Sequence, residues 1–195
     1  MGQLAVRLND KFEKQDGEVY LTGMQAVVRL LLDQKRTDAS NGLNTAGFVS
    51  GYRGSPLGAL DTALWRAGRE LNAHDIIFQP GVNEELAATA VYGSQQLEHF
   101  ESPKRDGVFA AWYGKGPGVA RAGDALKHGN LAGAAAHGGV LVIAGDDHPG
   151  KSSTTCHQSE QALAASMIPV LYPSNAEDYL RLGAFGYALS RFSGL

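Results

Sequence analysis

Val140-Leu141-Val142-Ile143-Ala144 runs straight into Gly145-Asp146-Asp147-His148-Pro149-Gly150-Lys151-Ser152. The first five residues are all apolar, three of them are β-branched, and a glycine stops the run. A stretch that short and without alternation reads as a strand buried on both faces. Such strands belong to parallel sheets covered by helices. Outward from it, Val108-Phe109-Ala110-Ala111-Trp112, Ile76-Ile77-Phe78 and Gly47-Phe48-Val49-Ser50-Gly51-Tyr52 read the same way, and Val170-Leu171-Tyr172 reads as a last short strand. Helical spacing fills the intervals. Gly23 to about Thr37, with Thr22 as cap, places Met24, Val27, Val28, Leu31 and Leu32 on one stripe. Further helices are expected from about Leu57 to Leu71, from Glu84 onward, in the small-residue stretch before Val140, and from Asn175 to about Phe192 with Ser174 as cap. The expected fold is therefore α/β, a parallel sheet covered by helices on both faces. Ligands in such folds sit beyond the carboxyl ends of the strands.

At 195 residues, with 44% hydrophobic residues, the chain is long enough for one domain with a sizeable core. A formal charge of -3 without a long basic run gives no electrostatic footprint for nucleic acid or an anionic membrane. No apolar run approaches the ~20 residues of a membrane span. Cys156 is the single cysteine, which excludes an intrachain disulfide and any four-cysteine cluster held by this chain alone. The expected compartment is the cytoplasm. Arg7, Asp10 and Lys11 stand where a signal peptide would be apolar, and Val6 breaks the myristoylation pattern that Met1-Gly2 would open.

Glu84 is the most telling polar residue. In the helix that starts there, spacing of three and four aligns Glu84 with Ala87, Ala88 and Val91, and aligns Glu85 with Thr89, Tyr92 and Gln96. One carboxyl faces the core and its neighbour faces water. A carboxylate on the inner side is costly unless a partner or a proton compensates it, which marks Glu84 as a candidate for proton chemistry. The plainer alternative is a first-turn acid complementing the helix dipole behind Asn83 as N-cap.

Four loop features flank the strand ends. Ser50-Gly51-Tyr52-Arg53-Gly54-Ser55-Pro56-Leu57-Gly58 follows a strand and opens a helix, so its backbone N–H groups suit an anion, but the dinucleotide spacing GxGxxG is not met. Tyr113-Gly114-Lys115-Gly116-Pro117-Gly118 offers close approach to a ligand, or only a tight turn, and Lys115 is either an anion contact or a solvated side chain. Gly145-Ser152 satisfies GxxxxGK[ST] after a strand. Against a phosphate loop stand Asp146 and Asp147, two like charges beside the anion, and the poor helix start Ser152-Ser153-Thr154-Thr155. His148, Cys156 and His157 are metal-binding types, but their spacing fits no structural zinc pattern.

Three segments in order carry a family resemblance: Gly51-Tyr52-Arg53-Gly54-Ser55-Pro56; Val82-Asn83-Glu84-Glu85 with Ala87 and Gly93; and Ala144-Gly145-Asp146-Asp147 with Pro149-Gly150 and Ser152-Ser153. Together they resemble the amino-terminal pyrimidine-binding domain of the indolepyruvate ferredoxin oxidoreductases, thiamine diphosphate-dependent enzymes of the 2-oxoacid:ferredoxin oxidoreductase family. The resemblance implies a domain over residues 19–195 behind an extension over residues 1–18. It places on Glu84 the glutamate that hydrogen-bonds the ring nitrogen of the aminopyrimidine and so promotes removal of the thiazolium C2 proton. Ser55 falls where relatives keep a hydroxyl near the substrate carboxylate. Arg53 is our addition, a bidentate contact to that carboxylate. Gly54, Pro56 and Gly116 are the expected cofactor contacts.

Two departures limit the resemblance. Asp146 stands near a position where relatives acting on pyruvate have arginine, which favours an indolepyruvate-like, aryl or branched 2-oxoacid. The GDG motif that holds diphosphate through magnesium is absent, since Gly123-Asp124-Ala125 and Gly145-Asp146-Asp147 both fail it. The diphosphate and metal are thus expected in another domain or chain, and the iron-sulfur clusters elsewhere in the enzyme. The expected function is the aminopyrimidine-activating half of a composite site, with ferredoxin as acceptor, in a homo-oligomer or multi-domain complex. A non-catalytic nucleotide-binding domain, a P-loop ATPase using Gly145-Ser152, and a purely structural subunit are the alternatives.

Overall fold

A computed structural model describes residues 7–152 and 155–195. Met1 to Val6, Ser153 and Thr154 lie outside the described residues, and with them the readings placed on Met1-Gly2, Val6 and the Ser153-Thr154 stretch. The described chain folds as α1 (Asp10–Glu13), α2 (Gly23–Ser40), β1 (Ala46–Gly51), α3 (Gly58–Arg66), α4 (Gly68–Ala73), β2 (Ile76–Phe78), α5 (Glu84–Ser94), a 3₁₀ turn (Leu97–His99), β3 (Val108–Lys115), α6 (Gly116–Arg121), α7 (Gly123–Ala132), β4 (Val140–Gly145), α8 (Ser159–Ala165) and α9 (Ala176–Ser193).

The four strands form one parallel sheet in the order β2-β1-β3-β4, with Val49 level with Phe78 and Ala111, and Trp112 level with Val142. The two faces carry separate cores, as the period of two along a strand requires. Val49, Phe109, Ala111 and Tyr113 pack with α2, α3 and Tyr187 of α9. Phe48, Ala110, Trp112 and Val142 pack with Ala87, Ala88 and Val91 of α5, Val119 of α6 and Leu163 of α8. The α/β class with helices on both sides of a parallel sheet is thus the observed fold. The amino-terminal extension joins the first core through Phe12, while Arg29 and Arg36 of α2 hold its carbonyls at Lys11 (3.1 Å) and Phe12 (2.5 Å).

The chain leaves β1 toward one face through α3 and leaves β3 toward the other through α6. The strand order therefore reverses between β1 and β3, and the carboxyl ends of these two strands border a crevice. Local capping fixes the helices around it. Thr22 and Gln25 close a reciprocal capping box at α2, and Asn83 accepts from Leu86 N at 2.8 Å to start α5.

Three expectations are corrected. Val170-Leu171-Tyr172 joins no ladder among the described residues, and its flanks, Pro169 and Pro173, explain this because proline has no N–H to donate. The helix expected over Leu57 to Leu71 is two, α3 and α4, joined at the buried Ala67. The cap of α9 is Asn175, whose side chain accepts from Asp178 N at 3.0 Å, and Ser174 instead donates to the Asp178 carboxylate. The residue pattern also gave no sign of α8, a short helix behind a polar loop.

Candidate functional site

Glu84 sits at the first turn of α5, on the sheet face that also carries α6, and is only 9% exposed. Two neighbours fix its main chain: Asn83 caps the helix, and the buried indole Nε1 of Trp112 donates to Glu84 O at 2.9 Å. Its carboxylate is treated differently. No hydrogen bond reaches either oxygen among the described residues, and the only cation nearby is Arg121 Nε, at 3.9 Å from Oε2, on a side chain that is 57% exposed. Gly118 makes room for it: a Cβ there would lie 2.7 Å from Glu84 Cγ and 3.0 Å from Oε1. Glu85, on the outer side of the same turn, is exposed.

The glycine loops come together on the other side of the β3–α6 turn. A Cβ on Gly54 would touch Lys115 Cδ at 2.9 Å, Lys115 Nζ donates to Ser152 O at 2.8 Å, and Ser152 Oγ lies 3.2 Å from Ser55 O. Gly54, Ser55, Lys115 and Ser152 therefore form one cluster over the ends of β1, β3 and β4. Arg53, Ser55 and Pro56 are exposed there, and the Ser55-Pro56 bond is cis. Lys115 is a bridge between two loops, a role its sequence context did not reveal.

Beneath this cluster Tyr113 and Asp61 are buried, and neither the Tyr113 hydroxyl nor Asp61 Oδ1 has a hydrogen-bond partner among the described residues. Burial first, and the Asp61 carboxylate second, push the Tyr113 hydroxyl well above its usual range, so it stays protonated.

The acidic loop after β4 is closed by its own carboxylates. Asp147 Oδ2 accepts from Ser152 N at 2.7 Å and Ser152 Oγ at 2.9 Å, and these bonds hold it below the usual carboxylate range. Lys151 and Ser152 lie in a turn, and the next helix begins only at Ser159. A carboxylate thus occupies the backbone donor that a phosphate nest would present. Asp146 is equally engaged, accepting from Ser159 N at 2.7 Å and Ser159 Oγ at 2.6 Å. Gly116 is needed beside it, because a Cβ there would meet Asp146 Oδ1 and lie 2.8 Å from His157 Cγ. His148 and Cys156 point to solvent, and no group of three His, Cys, Asp or Glu side chains suited to a metal exists among the described residues.

The structure therefore separates the expected residues into two groups flanking the β3–α6 turn: Glu84 with Gly118 and Arg121, and Gly54, Ser55 and Pro56 with Lys115. Gly116 adjoins Asp146 and His157 between them. The sequence reading did not connect Gly118 or Trp112 with Glu84, although Gly118 is the third glycine of Gly114-Lys115-Gly116-Pro117-Gly118. No helix of the described chain is long and apolar enough to cross a membrane. No protein-family model matches the chain, and no curated protein sequence matches it.

Proposed function

We propose that this domain supplies the aminopyrimidine-activating half of a thiamine diphosphate site for oxidative decarboxylation of an indolepyruvate-like, aryl or branched 2-oxoacid, with ferredoxin as electron acceptor. One observation carries this reading: a largely buried glutamate at a helix start, its carbonyl held by Trp112, its helix capped by Asn83, and no hydrogen bond to its carboxylate among the described residues. Buried polar groups are almost always partnered, so one without a donor among the described residues suits a ligand nitrogen. The family resemblance of the surrounding segments supplies the identity of that ligand.

When bound, thiamine diphosphate would supply a deprotonated C2 as nucleophile for the keto carbon and an electron sink for the decarboxylation. Glu84 would share a proton with the pyrimidine ring nitrogen, and Trp112 and Asn83 hold its backbone so that this proton moves along one direction. Gly118 leaves room for the Glu84 side chain, and Ser55 and Arg53 would meet the substrate carboxylate from the opposite loop cluster. Asp146 and Asp147 are committed to Ser159 and Ser152, so magnesium and diphosphate are assigned to another domain or chain, as are the iron-sulfur clusters that take the electrons. A reducing compartment, the cytoplasm, suits a chain with one exposed cysteine and such clusters.

The test is the cofactor's own proton. In the assembled enzyme Glu84→Gln is expected to slow deuterium exchange at C2 by about a hundredfold to ten-thousandfold, the usual contribution of a general acid-base group. Undiminished exchange in a folded variant would remove Glu84 from the chemistry and the thiamine reading with it.

A further inference from the structure

The β3–α6 turn carries a titratable side chain on each flank, Glu84 beside Gly118 and His157 beside Gly116. A Cβ on Gly116 would stand 2.5 Å from His157 Cβ and 2.5 Å from Asp146 Oδ1, so imidazole and carboxylate converge on a slot that only glycine leaves open. The loop is fixed at that point. Asp146 accepts from Ser159 N at 2.7 Å and Ser159 Oγ at 2.6 Å, which pins the chain two residues beyond His157. The ring is partly buried, and its Nδ1 is wholly buried without a hydrogen-bond partner among the described residues. Gly116 and Asp146 directly follow β3 and β4, so the ring packs where parallel sheets take their ligands.

Which nitrogen of a neutral imidazole holds the proton depends on what the other one meets. Nδ1 meets no acceptor, and a buried N–H without an acceptor is rare, so the proton of the neutral ring belongs on Nε2. The ring is then a hydrogen-bond donor through Nε2. Such a donor stabilises an oxygen on which negative charge develops without having to give up its proton. We propose that His157 donates a hydrogen bond from Nε2 to the keto oxygen of the substrate, from the flank of the turn opposite Glu84, and so polarises the carbonyl that is attacked. The substrate rests on the 2-oxoacid reading above; the slot and the tautomer do not.

Nitrogen NMR of residues 1–195 tests the tautomer without any cofactor, the His157 signals being assigned by their loss in His157→Gln. At about pH 8, above the ordinary histidine range, a bare Nδ1 and a protonated Nε2 are expected, and a proton on Nδ1 overturns the donor. In the assembled enzyme His157→Leu should lower kcat for phenylpyruvate, an aryl 2-oxoacid, by about a hundredfold to a thousandfold, the cost of losing one such donor. C2 exchange, which needs no substrate, should keep the parent's rate. His157→Gln, whose amide reaches as far as Nε2, should recover about tenfold of that loss, the worth of a neutral hydrogen bond. Undiminished kcat in a folded His157→Leu, or C2 exchange that falls in step with kcat, overturns the proposal. Unaltered C2 exchange in Glu84→Gln would instead sink the thiamine reading, an outcome on which the nitrogen spectrum of His157 does not depend.

Discussion

Of the three buried carboxylates, Asp38 and Glu84 lie at opposite ends of this molecule, and they are treated in opposite ways. Asp38, near the end of α2, is 1% exposed and fully partnered: Arg191 grips both oxygens at 2.6 and 2.8 Å, Thr45 Oγ1 donates at 2.7 Å and Gln34 Nε2 at 2.9 Å. Glu84 is 9% exposed, and among the described residues only Arg121 comes near, at 3.9 Å. Burial works against charge at both places. At Asp38 the fold offsets that cost by itself, tying α2 to α9 beneath the amino ends of the strands. At Glu84 no hydrogen bond reaches the carboxylate among the described residues, and the proposed cofactor role rests on that difference.

The same isosteric change at the two sites should give the largest contrast. Asp38→Asn leaves Arg191 without its counter-charge in a buried network and is expected to lower unfolding stability by about 3–5 kcal/mol. Glu84→Gln loses no hydrogen bond and should stay within about 1 kcal/mol of the parent. Urea unfolding followed by circular dichroism measures both. A large loss at Glu84 would mean that its carboxylate is structural, and the comparison would collapse.

The acid limb of the stability curve separates the two sites again. Burial opposes ionisation of Asp38, yet hydrogen bonds from Arg191, Thr45 and Gln34, with the Arg191 charge, prevail and hold its carboxyl below the ordinary 3.8. A carboxyl depressed by folding contributes stability that is present above its unfolded value and is lost as the pH falls through its folded value. The gap between the parent and Asp38→Asn should therefore be full above about pH 4 and shrink below it. Partly buried Asp178, held at about 2, titrates in both proteins and cancels in the difference. A gap that does not narrow in acid would show that the amide harms packing rather than removing a charge.

Gly118→Ala probes the space above Glu84. Alanine favours the helix by up to about 1 kcal/mol, but its Cβ would stand 2.7 Å from Glu84 Cγ and must displace that side chain. Folding should change by no more than about 1 kcal/mol, while C2 exchange in the assembled enzyme falls about tenfold to a hundredfold, the scale of a catalytic group moved by an ångström. Unchanged exchange would show that the position of the Glu84 carboxyl is not critical.

The contrast between the two sites also explains what could be read from the sequence. Glu84 was legible because its surroundings are local: Ala87, Ala88 and Val91 lie on one face of its own helix, and periodicity reports that face. The strands β1 to β4 were legible for the same reason, as runs apolar on both sides. Asp38 was not, since its chief partner, Arg191, is remote in sequence and nothing near Asp38 announces it. Lys115 meeting Ser152, and Gly118 meeting Glu84, are likewise products of strand order, which residue patterns do not encode. Val170-Leu171-Tyr172 misled because β-propensity describes side chains, whereas the prolines on either side act on the main chain.

The smallest effect is expected next door to the proposed catalytic residue. Glu85 shares the first turn of α5 with Glu84, carries the same charge and feels the same helix dipole, but its side chain points into solvent. Its backbone carbonyl accepts from Thr89 Oγ1 at 3.0 Å, a bond that substitution of the side chain leaves in place. Glu85→Gln removes one first-turn charge and nothing else, so stability should move by no more than about 0.5 kcal/mol. C2 exchange in the assembled enzyme should be unaltered. If dipole compensation were the real office of these acids, the two glutamates would be interchangeable and their amide variants would behave alike. Measured side by side, a silent Glu85→Gln and a crippled but folded Glu84→Gln would assign the difference to the one feature that separates them, the face of the helix on which the carboxyl lies.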